Sequence, residues 1–207
     1  MRNRIHGLTL ALAPVLVCGM LVVPVAAQSQ TADPAAAAVD GLDNGLLALM
    51  HAGARAGQAG RARQIAPIVD RAFDLPLMTR LSVGPSWLQI KPTDQAALVS
   101  AFRAMTIAQY AHNFDGFSGQ RFILNPQVET RAGDKLVRTT LTSPGEEPEQ
   151  LNYRLRQNGG EWKIIDVYYR NAISQLATRR SDFAEVLARG GAGALIAHLN
   201  QIATNPK

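Results

Sequence analysis

The sequence predicts an α+β fold in which helices pack over one face of a curved, roughly four-stranded antiparallel sheet. Up to about residue 113, apolar residues recur at intervals of three and four, as in amphipathic helices. Residues 122–170 instead alternate apolar and polar side chains and are punctuated by turn residues, which is typical of strands. Residues 177–203 return to the helical period. Helices, then strands, then helices favour one layered α+β domain.

The first 27 residues have the composition of a secretory signal peptide. Arg2 and Arg4 precede an uncharged run over residues 7–27, and the small residues Val25 and Ala27 suit a signal peptidase. Two prolines interrupt the run, which disfavours the alternative of a membrane-spanning helix. We therefore expect a cleaved and released chain.

The remaining composition favours one domain without disulfides. Removing 27 of the 207 residues leaves 180, takes away the single cysteine, Cys18, and reduces the net charge from +5 to +3. A chain of that length buries about 70% of its unfolded surface, enough for its own core. Arg179-Arg180 is the longest basic run, so a nucleic-acid partner is not expected. Residues 28–38, rich in Ala, Ser, Thr and Pro, are predicted to be a flexible lead-in to a single domain over residues 39–207.

Four helices are predicted before the strands. The first two are separated by a Gly/Ala/Arg break at residues 53–60, and Asp74-Leu75-Pro76 ends the second, because Pro76 biases Leu75 away from the helical region. A short third helix stops at Gly84-Pro85. The longest helix opens at Lys91-Pro92-Thr93-Asp94. Its apolar face is wider than a surface helix needs, so it should be covered on more than one side.

Four strands with short turns between them predict an antiparallel meander over residues 122–130, 135–143, 149–158 and 161–170. The third strand has one dry face and one wet face. In the fourth strand, apolar side chains occupy both faces, which predicts an inner strand. One face is expected to carry Trp162, Ile164 and Tyr168. The other face is expected to carry Ile165, Val167 and Tyr169.

Two further helices are predicted over residues 177–189 and 192–203, separated by the helix-stop signal Gly190-Gly191. The glycines of residues 190–193 lie between helices rather than after a strand, so a dinucleotide-binding loop is not supported. The histidines His51, His112 and His198 are isolated from one another, and no metal site is predicted.

Asp166 is the strongest candidate for catalysis, because a carboxylate in an apolar strand can have a raised pKa and act as a base. Tyr168 and Tyr153 could assist it, as in enzymes resembling ketosteroid isomerase. The structural alternative is that Asp166 binds backbone donors or an arginine, with Arg80, Arg103 and Arg121 as candidates.

A set of large side chains at helical spacing could line a ligand cavity or fill a solid core, and the pattern alone favours the solid core. The set consists of Trp87, Phe102, Met105, Tyr110, Phe114 and Phe117.

Several short motifs, in order and spacing, resemble the MlaC family of periplasmic lipid-binding proteins, also known as toluene-tolerance auxiliary proteins. The resemblance runs from about residue 40 to residue 202. Its motifs are Phe73-Asp74, Leu81-Ser82-Val83-Gly84-Pro85-Ser86-Trp87, residues 92–102 with Tyr110, Glu161-Trp162-Lys163-Ile164-Ile165-Asp166-Val167, Ile173-Ser174 and Arg180-Ser181-Asp182-Phe183. Residues 73–80 and 168–176 are most similar to the branch associated with hopanoid biosynthesis.

The resemblance implies an NTF2-like arrangement that encloses an apolar cavity. It also implies a soluble periplasmic carrier of a phospholipid or hopanoid. The carrier would shuttle this lipid between an inner-membrane ABC-transporter/MCE-type complex and an outer-membrane lipoprotein acceptor. Lipid would then be the cargo, with no cofactor, metal or catalytic residue. The residues expected to bind it are Val83, Trp87, Phe102, Met105, Tyr110, Leu151, Tyr153, Leu155, Val167 and Tyr169.

Two alternatives remain open at this point: an isomerase-like enzyme using Asp166, and a solid-cored envelope adaptor that binds no lipid. The sequence also departs from the family pattern near the expected mouth of the cavity. Asn171 stands where many members have glycine, and the segment from Asp166 to Ser174 is one residue longer than in phospholipid-carrying members.

Overall fold

The computed structural model describes residues 33–170 and 172–206. The predicted signal peptide and Asn171 lie outside these residues. The described chain contains five α-helices: α1 (Pro34–Ala52), α2 (Gly57–Ala72), α3 (Leu75–Val83), α4 (Pro92–Asn113) and α5 (Gln175–Thr204). Short 3₁₀ turns follow α1 (Ala54–Ala56) and α3 (Gly84–Gln89). None of the described helices is long and apolar enough to span a membrane.

Helix α1 begins earlier than the sequence analysis predicted. The Asp33 side chain accepts a hydrogen bond from the Ala35 backbone N–H at 2.8 Å, and Pro34 occupies the first helical turn. The predicted flexible lead-in is therefore wrong from Pro34 onward, because the alanine-rich segment that follows this cap is a strong helix former. The predicted break between the first two helices is also shorter, since α2 already begins at Gly57.

The link between α2 and α3 also joins the helices to the sheet. Phe73 forms a parallel bridge with Ile164, and the Asp74 N–H donates to the Ile164 carbonyl at 2.9 Å. The Asp74 carboxylate caps α3 through the Leu77 N–H at 3.0 Å and also accepts from the Asn158 side chain at 2.9 Å. This explains why the boundary signal Asp74-Leu75-Pro76 marks both a helix start and a contact with the sheet.

The sheet contains the strands β1 (Arg121–Leu124), β2 (Glu129–Arg131), β3 (Asp134–Thr142), β4 (Glu149–Asn158), β5 (Glu161–Tyr169) and β6 (Ile173–Ser174). Their order is β1-β3-β4-β5-β6, all pairs are antiparallel, and β2 also pairs with β3. The predicted α+β class is confirmed. The predicted first strand is wrong as one piece, because Pro126, which has no N–H to donate, lies between β1 and β2. The two-residue β6 was not predicted.

A bulge in the β4–β5 pairing changes the predicted faces of β5. Leu155 pairs with Ile164, but Arg154 pairs with Asp166, so Ile165 is the extra residue. As a result Trp162 and Ile164 share the helix-facing side with Val167 and Tyr169, and all four belong to the main core or pack against it. The prediction that Trp162, Ile164 and Tyr168 share one face is therefore wrong.

Helix α5 contains the break that Gly190-Gly191 predicts. Gly190 has φ −156° and Gly191 has φ 64°, so residues 175–189 and 192–204 are two helical segments rather than one. The core lies between the helices and the inner face of the sheet. Its fully buried side chains include Leu42, Leu46, Ile65, Phe102, Tyr153, Leu155, Ile164 and Leu195.

Candidate functional site

A cavity of about 270 Å³ lies between α4, the ends of β4 and β5, and the first segment of α5. It is lined by Met105, Gln109, Tyr110, Asn113, Phe114, Leu151, Tyr153, Val167, Tyr169, Gln175, Thr178, Arg179 and Asp182. The apolar members come from the sheet and α4, whereas most of the polar members come from α5. The cavity therefore has an apolar floor and a polar rim.

The floor is formed by side chains that the sheet register places together. Leu151 pairs with Tyr169 and Tyr153 pairs with Val167 across β4 and β5, and Met105 of α4 lies over them. Leu151, Tyr153, Val167 and Met105 are each less than a tenth exposed. Such a floor can hold hydrocarbon, since it excludes water and presents few groups that need hydrogen bonds.

Aromatic rings form one wall of the cavity. The rings of Tyr110 and Phe114 stack with their centroids 5.8 Å apart, and Phe73 packs against Tyr110 at 5.6 Å. Burial raises the pKa of the Tyr110 and Tyr153 hydroxyls well above the ordinary value for tyrosine. Both phenols are therefore uncharged at neutral pH, which keeps this part of the cavity free of negative charge.

The rim carries one cation, Arg179, one acid, Asp182, and several neutral polar groups. Asn113, Thr178 and Asp182 are exposed to solvent, so the cavity opens to water on this side. Arg179 is half-buried among them, and its guanidinium lies over the Phe102 ring at 5.1 Å from the ring centre.

Asp166 is an anchor for the start of α5 rather than a wall of the cavity. One carboxylate oxygen accepts from the backbone N–H groups of Val167 (2.8 Å) and Leu176 (3.0 Å), and the other accepts from the Ser174 hydroxyl (2.6 Å). These contacts match the backbone-donor alternative given above. In the described part of the chain none of the three predicted arginines pairs with Asp166, and Arg103 instead forms an ion pair with Asp70.

The isomerase-like arrangement does not assemble. Tyr153 is on the cavity floor. Asp166 lies opposite Arg154 in the β4–β5 strand register and is not among the cavity-lining residues. Tyr168 pairs with Asn152 and lines a groove over the opposite face of the sheet. The carboxylate of Asp166 instead accepts three hydrogen bonds, from Val167, Ser174 and Leu176.

Six of the ten residues predicted to bind lipid line this one cavity: Met105, Tyr110, Leu151, Tyr153, Val167 and Tyr169. The structure places the other four elsewhere. Phe102 is fully buried behind the cavity, under Arg179 and against Phe183. Val83 and Leu155 belong to the packed core, and Trp87 lines a separate groove beside α3. The ten predicted residues therefore do not all meet at one cavity, and the cavity that six of them line lies against α5.

The contribution of α5 is what sequence analysis missed. Gln175, Thr178, Arg179 and Asp182 all face the cavity, as does Gln109 of α4. In retrospect their spacing of three, four and seven residues is a signal, because it places polar groups on one face of a helix. That face lies beside Phe183, which α5 buries in the core.

The MlaC protein family model matches residues 42–201 of the chain, which is more than half of its length. The chain belongs to the MlaC family. A solved structure of a phospholipid-binding protein from Ralstonia solanacearum, in complex with a phospholipid, has the same fold. That protein is 24% identical, with a TM-score of 0.69, and the match covers 83% of this chain and 97% of the Ralstonia chain. A comparison with curated proteins finds no significant match.

Proposed function

We propose that this MlaC-family protein is a periplasmic carrier that holds the acyl part of a membrane lipid in the cavity between α4, α5 and the sheet. The observation that supports this function best is the cavity itself, with its apolar floor and its polar, solvent-exposed rim. The polarity of such a cavity suits an amphipathic molecule, with its hydrocarbon on the floor and its polar end at the rim.

The physical need for a carrier is clear. Exposing a sixteen-carbon chain to water costs on the order of 12 kcal/mol, at about 0.8 kcal/mol for each methylene group. Unaided transfer of a lipid between two membranes is therefore slow. A protein that replaces the bilayer around that chain removes most of this barrier and needs no nucleophile, base or metal. The hydrogen bonds that occupy Asp166 agree with such a non-catalytic role.

The proposed cargo is a phospholipid or a hopanoid. The Ralstonia protein of the same fold binds a phospholipid, which supports the first, and the motif resemblance at residues 73–80 and 168–176 supports the second. The donor and acceptor would be an inner-membrane ABC-transporter/MCE-type complex and an outer-membrane lipoprotein. The predicted signal peptide over residues 1–27 would direct the chain to the compartment between them.

The test is organic extraction of the purified mature protein followed by mass spectrometry. Stoichiometric lipid is expected in the wild type, and its mass identifies the cargo. Val167→Trp adds bulk directly to the floor and should reduce the lipid recovered severalfold. Tyr168→Trp, one residue along β5 on the opposite face, should leave it unchanged.

Circular dichroism and thermal unfolding establish that both variants fold. A wild-type protein that carries no lipid and takes none from vesicles would refute the carrier function. Equal lipid in Val167→Trp and wild type would show that the cargo does not occupy this cavity.

A further inference from the structure

The guanidinium of Arg179 is a cation at the rim of the cavity, beside its apolar floor. Arg179 lies in the second turn of α5, rests on the Phe102 ring and donates one hydrogen bond, to the Gln109 side chain at 3.1 Å. Over residues 33–170 and 172–206 no carboxylate lies within the 4.0 Å of an ion pair with it. A guanidinium has five N–H donors, so most of its hydrogen-bonding capacity is available.

This environment differs from that of the other arginines. Arg103 pairs with Asp70, and Arg154 and Arg156 both pair with Asp134. The buried Arg61 donates to the carbonyls of residues 111 and 53, at 2.7 and 3.0 Å. Arg179 is set apart because it combines partial burial, an apolar cavity and no anionic partner.

Two effects raise the free energy of the Arg179 cation where it stands. Partial removal from water lowers the pKa of its guanidinium, although an arginine still keeps its proton at physiological pH. The residue also lies near the N-terminal end of α5, where the helix dipole favours negative rather than positive charge. An anion bound at the rim would offset both effects.

The nearby acids do not supply that anion. Asp166 is close enough to raise the pKa of Arg179, but its oxygens accept hydrogen bonds from Val167, Ser174 and Leu176. Asp182 lies one turn further along α5 and is exposed to solvent. Beside Arg179, the neutral side chains of Gln175 and Thr178 also line the cavity.

We infer that Arg179 binds the phosphate of the cargo and selects phosphate-bearing lipids over uncharged ones. A guanidinium can hold two oxygens of one phosphate in parallel hydrogen bonds, a geometry that lysine lacks. A lipid whose acyl chain lies on the apolar floor, between Met105 and Val167, would have its phosphate at the rim. This inference rests on the carrier function proposed above.

The experiment compares delipidated wild type with Arg179→Gln, Arg179→Lys and the control Arg180→Gln. Arg180 is the adjacent arginine, is exposed, and donates to the Leu81 carbonyl away from the cavity. Each protein is incubated with vesicles containing either phosphatidylglycerol or diacylglycerol with matched acyl chains, and the lipid it takes up is quantified.

Arg179→Gln should weaken phosphatidylglycerol uptake by about tenfold or more, the size expected when a charge-assisted contact is lost, and leave diacylglycerol uptake unchanged. Arg179→Lys should recover part of the loss, and Arg180→Gln should behave as wild type. Equal loss of both lipids in Arg179→Gln would indicate a structural role and overturn the inference, as would no loss of either.

Inorganic phosphate separates the two sources of the anion. If Arg179 recognises the lipid phosphate, millimolar phosphate should compete only weakly with phosphatidylglycerol, because a free ion gains nothing from the apolar floor. Complete displacement by millimolar phosphate would show that the rim is a site for the free ion and would overturn lipid selection. A wild type that takes up neither lipid would instead refute the proposed function.

Discussion

Asp43 is a buried carboxyl group that the protein tolerates without an ion pair. It lies on α1, is 3% exposed, and accepts a hydrogen bond from the Thr139 hydroxyl at 3.3 Å. Its second oxygen has no partner among the described residues. Burial raises the pKa of Asp43 to about 7, and the nearby charge of Asp40 adds to this effect, while the Thr139 hydrogen bond opposes it.

This raised pKa predicts a specific pH dependence of stability. In the unfolded chain the carboxyl loses its proton near pH 3.8, whereas in the folded protein it keeps the proton up to about pH 7. The stabilisation is therefore fully present below pH 3.8 and is lost as the pH rises through 7. The loss amounts to on the order of 4 kcal/mol, at about 1.4 for each pH unit.

Asp43→Asn should remove this dependence. Between pH 4 and pH 8 the free energy of unfolding of the variant should therefore rise relative to that of the wild type. Urea unfolding at several pH values measures the difference. Glu147→Gln, at an exposed acid in the turn between β3 and β4, serves as the control and should follow the wild-type curve closely. If the free energies of unfolding of Asp43→Asn and wild type changed in parallel with pH, folding would not raise the pKa of Asp43, and the prediction would be wrong.

At the scale of an element, the break in α5 requires glycine at one position and not at another. Gly191 has φ 64° and ψ −161°, a conformation that residues with a Cβ rarely adopt. Gly193 lies in the following helical segment, and an added Cβ there would meet nothing within 4 Å.

The two glycines should therefore respond oppositely to alanine. Gly191→Ala should lower the free energy of unfolding by about 1–3 kcal/mol, and Gly193→Ala should raise it by about 0.5–1 kcal/mol, because alanine favours the helix. Thermal or urea unfolding measures both changes. Stabilisation by both substitutions would mean that α5 is continuous in solution and has no hinge.

The same element shows how far sequence reasoning extends. Gly190-Gly191 and Asp74-Leu75-Pro76 predicted their boundaries correctly, because local backbone chemistry determines where a helix ends. The bulge at Ile165 was not predictable, since alternation is read along one strand and the register depends on its partner.

The cavity was predictable in part for the same reason. Its floor residues Leu151, Tyr153 and Val167 follow from alternation within β4 and β5. Helical spacing places Arg179 on the polar face of α5, but its environment is created by Phe102 and Gln109, 77 and 70 residues away in the chain, and no local pattern indicates those contacts.

At the scale of the whole molecule, the cavity is small for the proposed cargo. A methylene group takes about the space of a water molecule, roughly 30 Å³, so one sixteen-carbon chain needs roughly 480 Å³. The cavity has about 270 Å³. Since packed interiors do not compress to make room, we expect loading to move one wall of the cavity outward.

The first segment of α5 is the wall best suited to move. It contributes Gln175, Thr178, Arg179 and Asp182 to the cavity and ends at the glycine break at 190–191. The second segment buries Leu195 and Leu199 completely and should remain in place. We therefore expect residues 175–189 to swing away from the sheet about this break when lipid enters. This movement must break the hydrogen bonds that Asp166 accepts from Ser174 and Leu176.

Spin labels can measure this movement, because the only cysteine of the chain lies within the predicted signal peptide. One pair joins Ala184→Cys on the first segment of α5 to Arg121→Cys on β1, and the control pair joins Asn200→Cys on the second segment to the same β1 site. All three positions are exposed. The first distance should increase by several ångströms on loading while the second stays constant, because only the first segment borders the cavity. If both distances stay constant while lipid is bound, the cavity does not widen at α5, and the acyl chains must lie elsewhere in the fold.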